Sequence, residues 1–139
     1  MADLLETVAK NQRFTTFSSA VETAELTEML QSPGPFTILA PSDEAFSRLP
    51  EGTIDALLQD IPKLQRILLY HVLPGDVRSD DLAQIDEAPT VEGSVIAVEQ
   101  QDQRITVNQA KVIEQDVLTD NGVIHTIDRV LMPALLAGE

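Results

Sequence analysis

The side chains with the widest chemical range in this chain are its two histidines, His71 and His125. An imidazole titrates near neutral pH and can act as a general base or a metal ligand. A metal site needs further ligands at fixed spacing. His71 has none at i+3 or i+4 on a helix, and His125 has none at i+2 on a strand. Each sits among apolar neighbours, so each is expected to be structural, bonded to a nearby group because an unpaired buried polar atom costs about 1–3 kcal/mol. Asp43 and Asp128 are the candidate partners. Ser42, Asp43 and His71 have the residue types of a hydrolase triad. A serine nucleophile, however, usually stands on a strained elbow beside an oxyanion hole, commonly flanked by glycine, whereas Ser42 lies between Pro41 and Asp43. A helix cap accounts for Ser42, and no catalytic residue is assigned.

Other chemistries fare no better. Without cysteine there is no thiolate, disulfide or zinc–thiolate site. The glycines are isolated, with no phosphate-cradling loop. Asp80, Asp81 and Glu87 form an acidic stretch, yet neither Asp80 onward nor Asp120 onward follows a calcium-loop spacing, so a solvated face is expected. The expectation is a non-enzyme with no metal and no cofactor.

The elements that must carry these residues change character along the chain. Leu4, Leu5 and Val8, then Phe14, Phe17 and Val21, then Leu26, Met29 and Leu30 fall near helical spacing. Ser32-Pro33-Gly34-Pro35 breaks the pattern, and Phe36-Thr37-Ile38-Leu39 suits a buried strand closed by Pro41. Ser42 is placed to cap a helix with Asp43 and Glu44 in its first turn. Thr53 is the expected cap of a second helix, and Pro62 opens a third that Leu73-Pro74-Gly75 ends. From Thr90 the period becomes two, through Ile96, Val98, Ile105, Val107, Val112 and Val123 to Leu131, which predicts an antiparallel sheet. Gln100–Gln103 and Asp120-Asn121-Gly122 supply turns, the Asn-Gly pair being read as a hairpin whose residues tolerate positive φ. Helices first and strands later indicate an α+β fold.

Composition sets the outer limits. With 139 residues, one domain (1–139, core about 4–133) is expected. Hydrophobic residues make up 43%, too many for a disordered chain. Nine basic residues stand scattered against 23 acidic ones, a net charge of −14. Nucleic acid is excluded as a partner, since counterion release needs clustered cations. Anionic membrane is disfavoured, and no apolar run approaches the ~20 residues of a span. The charge opposes self-association, so a monomer is expected, and it favours a neutral, basic or cation-bridged partner. Met1 to Lys10 lacks signal-peptide character. As written, the chain is expected in the cytoplasm, or secreted or at the cell surface if an upstream signal was removed.

Three segments together resemble the fasciclin (FAS1) family: Phe36-Thr37-Ile38-Leu39-Ala40-Pro41-Ser42-Asp43-Glu44-Ala45-Phe46, the pair Tyr70-His71, and Asn121 through Pro133, read Asn-Gly-Val-Ile-His-Thr-Ile-Asp-Arg-Val-Leu-Met-Pro. Their order and separation match as well, and the resemblance runs from about Leu4 to Pro133. It implies a wedge-shaped β-sandwich flanked by several short helices, and a role in adhesion without general enzymatic activity. Some animal members attribute cell binding to an Asp-Ile-type motif before the last segment and to the Tyr-His region. Asp116, Val117 and Leu118 occupy the first position here, and Tyr70 and His71 the second. These five are the expected partner contacts. Ser42, Asp43, His125 and Asp128 are expected to serve the fold. The resulting expectation is an adhesion-type module that binds a protein or glycan, the alternative being an intracellular structural or stress-associated protein.

Overall fold

A computed structural model describes residues 3–32, 34–49, 52–101, 104–108 and 110–131. The first part is helical: α1 (Leu4–Lys10), a 3-10 turn (Gln12–Phe14), α2 (Thr15–Thr23) and α3 (Thr27–Gln31). Asp3 caps α1 through its carboxylate on the Glu6 N–H. Strand β1 (Phe36–Pro41) follows, then α4 (Asp43–Ser47), α5 (Thr53–Leu58) and α6 (Ile61–Leu69). Ser42 caps α4, accepting from the Ala45 N–H at 3.3 Å. The expected Thr53 cap is corrected: Gly52 precedes α5 at φ +85°, a left-handed conformation that costs glycine little, and Thr53 is already helical. Asp60 caps α6, with Pro62 in its first turn.

The remaining elements are β2 (Val72–Pro74), α7 (Ser79–Leu82), β3 (Glu87–Pro89), β4 (Val95–Gln101), β5 (Arg104–Val107), β6 (Ala110–Thr119) and β7 (Gly122–Ile127). The helical run ends earlier than expected, at Leu69, and Leu73 and Pro74 belong to β2, which pairs with β1. Of the expected turns, Gln103 and its neighbour 102 lie outside the described residues, as do Pro33, Met132 and Pro133.

The strands hydrogen-bond in the order β2-β1-β7-β6-β5-β4-β3. All pairings are antiparallel except β1 with β7, which run parallel from Phe36 opposite Gly122 to Pro41 opposite Ile127. The sheet is therefore mixed, a correction to the wholly antiparallel reading. No local pattern marks that pairing, because its partners lie far apart in the chain. Strand β6 serves two neighbours: Ala110 and Lys111 pair with β5, and Val112 to Thr119 pair with β7. The series folds over on itself until its ends nearly meet, where the Val91 N–H donates to the Val72 carbonyl at 2.8 Å. The α+β reading holds.

Two cores result, one on each face of β1 and β7. Ile38, Ala40 and Ile124 pack with Phe14, Phe17 and Ile67 of the helical layer. Leu39 and Ile127 point the other way, into a second cluster with Leu73, Ile96, Val98 and Val107. The period-2 alternation of a strand delivers both from one sequence. Strands β1 and β7 are buried along nearly their whole length, which is why they read as continuous apolar runs.

Candidate functional site

Where α6 ends, the helix leaves carbonyls without an intrahelical donor. His71 meets one of them: its Nδ1–H donates to the Ile67 carbonyl at 2.7 Å, and its Nε2 accepts from the Leu131 N–H at 2.8 Å. Those partners require the neutral Nδ1–H tautomer. The ring is fully buried, and burial pushes its pKa down to about 4 despite the Ile67 hydrogen bond. With both nitrogens engaged by backbone, His71 is not a base for Ser42, whose hydroxyl is bonded to Ala45.

Tyr70 is buried too, its hydroxyl accepting from Asn108 Nδ2 at 2.6 Å. Asn108 occupies a left-handed conformation (φ +48°) after β5, and its Oδ1 accepts from the Ala97 N–H at 2.7 Å. The Tyr-His pair thus ties the end of α6 to the second layer. Of the two expected partner contacts, Tyr70 is 4% exposed and His71 fully buried.

His125 lies in β7 opposite Leu39, on the face of the second core. Its Nε2–H donates to the Val77 carbonyl at 2.7 Å, and its Nδ1 accepts from the Asp116 N–H at 3.2 Å. Burial lowers its pKa, opposed by the Val77 hydrogen bond and the Asp116 and Asp76 charges. Asp43 and Asp128 partner neither histidine, contrary to expectation. Asp128 binds Lys111 reciprocally, accepting from its N–H at 2.7 Å and donating its own N–H to the Lys111 carbonyl at 3.1 Å.

Asp43 accepts from the Thr15 hydroxyl at 2.6 Å and the Thr16 N–H at 2.8 Å. Residue Phe14 at the start of α2 offers no capping side chain, so Asp43 caps that helix from outside while Ser42 caps its own. Burial alone would raise the Asp43 pKa, but these hydrogen bonds hold it below the usual carboxylate value.

The segment Asp116-Val117-Leu118 lies on β6 where its pairing with β7 shifts register. Asp116 is at φ +57°, and the irregularity turns its carboxylate toward α7. There it receives the Ser79 N–H at 2.9 Å and the Ser79 hydroxyl. Burial opposes ionisation of Asp116, yet the Ser79 hydrogen bonds, His125 and Arg78 hold its pKa below normal. Val117 is half-buried against the helical core. Leu118 is exposed, as is Ile113 on the same strand. The five residues therefore do not converge: Leu118 presents an apolar surface, Asp116 is exposed with both oxygens engaged, and the other three point inward.

Asn121, expected only as a turn residue, is a junction. Its Oδ1 accepts from the Leu4 N–H at 2.8 Å, and its Nδ2 donates to the Leu30 and Ser32 carbonyls at 2.8 and 2.7 Å. Thr119 and Gly122 pair, so Asp120 and Asn121 form the hairpin loop as expected. The physical reason differs, for neither Asn121 nor Gly122 has positive φ. Gly122 is required by space: a Cβ there would lie 1.9 Å from the Phe36 carbonyl oxygen. The Asn-Gly pair was the available signal, although it names a turn and not the parallel strand beside it.

Among the described residues no group of three or more His, Asp or Glu side chains is placed to hold a metal. No helix there is long and apolar enough to cross a membrane.

The fasciclin domain model matches residues 12–133. This chain belongs to the fasciclin family. An uncharacterized Synechocystis protein is 46% identical over 132 residues, covering 95% of this chain and 98% of that protein. Human periostin is 35% identical over 133 residues, covering 94% of this chain and 16% of periostin. Among solved structures, a FAS1 domain pair from the insect cell adhesion molecule fasciclin I superposes with a TM-score of 0.71 at 30% identity. The match spans 88% of this fasciclin chain and 46% of the insect one. The insect adhesion molecule and this chain thus share an overall fold.

Proposed function

We propose that this fasciclin chain is a non-catalytic interaction module of adhesion type, holding a protein or glycan partner on its surface. The observation that carries the reading is the backbone likeness to an insect cell adhesion molecule. The internal chemistry supports it: Ser42, Asp43, His71, His125 and Asp128 are all engaged in capping or cross-linking the backbone. Contact falls to exposed apolar side chains of β6, Leu118 and Ile113, which are 45% and 48% exposed. Asp116 ties the adjoining start of α7 to that strand. A net charge of −14 favours a neutral or basic partner, or one bridged by cations, and favours the monomer.

Solid-phase binding to immobilised extracellular-matrix proteins and glycans, with cell attachment as a second readout, tests this. Leu118→Ser and Ile113→Ser, both at exposed positions, are expected to lower binding at least tenfold with unchanged thermal unfolding. Absence of saturable binding by the unaltered protein would overturn the adhesion role. Equal binding by both variants would remove these β6 side chains from it.

A further inference from the structure

Between α2, α4, α5 and α6 lies a partly open cavity of about 220 Å3. Its deep wall is carbon: Phe46, Ile54, Leu57, Leu58 and Leu64. The facing wall is α2, which presents Thr15, Thr16, Ser19 and Ala20. These side chains are too short to reach across.

Hydrogen bonds tether α2 at both ends. At its start, Asp43 of α4 holds the Thr15 hydroxyl and the Thr16 N–H. Just past its end, Gln65 of α6 donates from Nε2 to the Ala24 carbonyl at 2.7 Å. With α2 fixed to α4 at one end and to α6 at the other, the space is a feature of the folded structure. An apolar cavity of about 150 Å3 is enough to take up benzene.

Two features choose among apolar ligands. The Ser19 hydroxyl is exposed at the rim with no side-chain partner among the described residues, and is available to a hydroxyl. The Asp43 carboxylate, bonded to two lining threonines in a chain of net charge −14, disfavours an anionic head group. From this geometry we infer that the cavity is a binding site for a neutral, hydroxyl-bearing compound with one ring, its ring against Leu57 and Leu58 and its hydroxyl at Ser19. The inference is independent of the adhesion reading.

Benzyl alcohol and benzoate, equal in ring and opposite in head-group charge, are the probes, followed by amide chemical shifts in two-dimensional NMR. Benzyl alcohol is expected to produce saturable shifts concentrated at Thr16, Ser19, Ala20, Leu57 and Leu58, and benzoate to bind at least tenfold more weakly. Ser19→Ala should weaken the alcohol severalfold, and Ala20→Leu, which fills the space, should abolish the response. If Ala20→Leu does not fold, Ser19→Phe at the exposed rim makes the same comparison. Shifts that fail to saturate, equal binding of benzoate, or an unchanged dissociation constant in a folded filled variant would each overturn the site.

Discussion

Asp116 and His125 are joined backbone to ring: the Asp116 N–H donates to His125 Nδ1 at 3.2 Å, while the Asp116 carboxylate holds Ser79 on the other side. One residue in a left-handed conformation thereby connects the second core to the start of α7. Asp116→Ala removes the cap and leaves no compensating polar group at φ +57°. The change should destabilise by about 1–2 kcal/mol, mostly from the lost hydrogen bonds, since Asp116 already carries a Cβ in this conformation. Asp116→Asn, which tolerates the left-handed region and keeps an acceptor, should cost about 1 kcal/mol or less. Urea denaturation of the three proteins measures the difference, and faster amide exchange at Ser79 to Leu82 should accompany it.

Acid should weaken the fold through its histidines. His71 has a folded pKa of about 4 against 6.5 for the free side chain. Between those values the unfolded chain binds the proton and the folded one does not, so stability rises with pH. The contribution is fully present above about pH 6.5 and lost as pH falls toward 4, amounting to about 3 kcal/mol. His125 is shifted in the same direction. The lowered pKa values of Asp43 and Asp116 add a further loss below the ordinary carboxylate value of 3.8. Denaturation midpoints across this range, with NMR titration of the His71 ring, check the sign and the window. A flat stability profile from pH 7 to pH 4 would contradict it.

The hairpin between β6 and β7 should tolerate change badly. Gly122→Ala sets a methyl group 1.9 Å from the Phe36 carbonyl oxygen, in a strand paired with β1 through its whole length. Neither backbone can withdraw without giving up that pairing, and a loss above about 3 kcal/mol is expected. Asn121→Ala strands one N–H and two carbonyls, at about 1 kcal/mol each. Thermal unfolding of both variants against Asp120→Ala, an exposed position in the same loop, separates these effects from a general loop effect.

Ser42 and Asp43 cap different helices, which a double-mutant cycle resolves. Ser42→Ala should cost about 1 kcal/mol through α4, and Asp43→Ala about 1–2 kcal/mol through α2. Only Asp43→Ala should loosen the amides of Thr15 and Thr16 in hydrogen exchange. A catalytic pairing of the two residues would instead leave stability nearly unchanged in both.

Local chemistry was legible in the sequence because it depends on near neighbours. Pro41, Ser42 and the acidic pair after them mark a strand end and a capped helix start. The alternation from Ile96 to Val107 marks strands, and the absence of cysteine with a net charge of −14 limits the chemistry and the partners. The family was legible too, through segments whose order and spacing survive as text. Tertiary structure decided what each polar side chain touches. Asp43 was placed correctly on its own helix, yet its carboxylate serves α2, 27 residues earlier in the chain at Thr16. His71 and His125 were rightly placed among apolar neighbours, but their partners are backbone groups of Ile67, Leu131, Val77 and Asp116 rather than carboxylates. Backbone groups are the same at every position, so a sequence cannot mark which one a ring will meet. The parallel pairing of β1 with β7, and with it the need for Gly122, arises only when segments some 86 residues apart are brought side by side, a placement set by the burial of both strand faces at once.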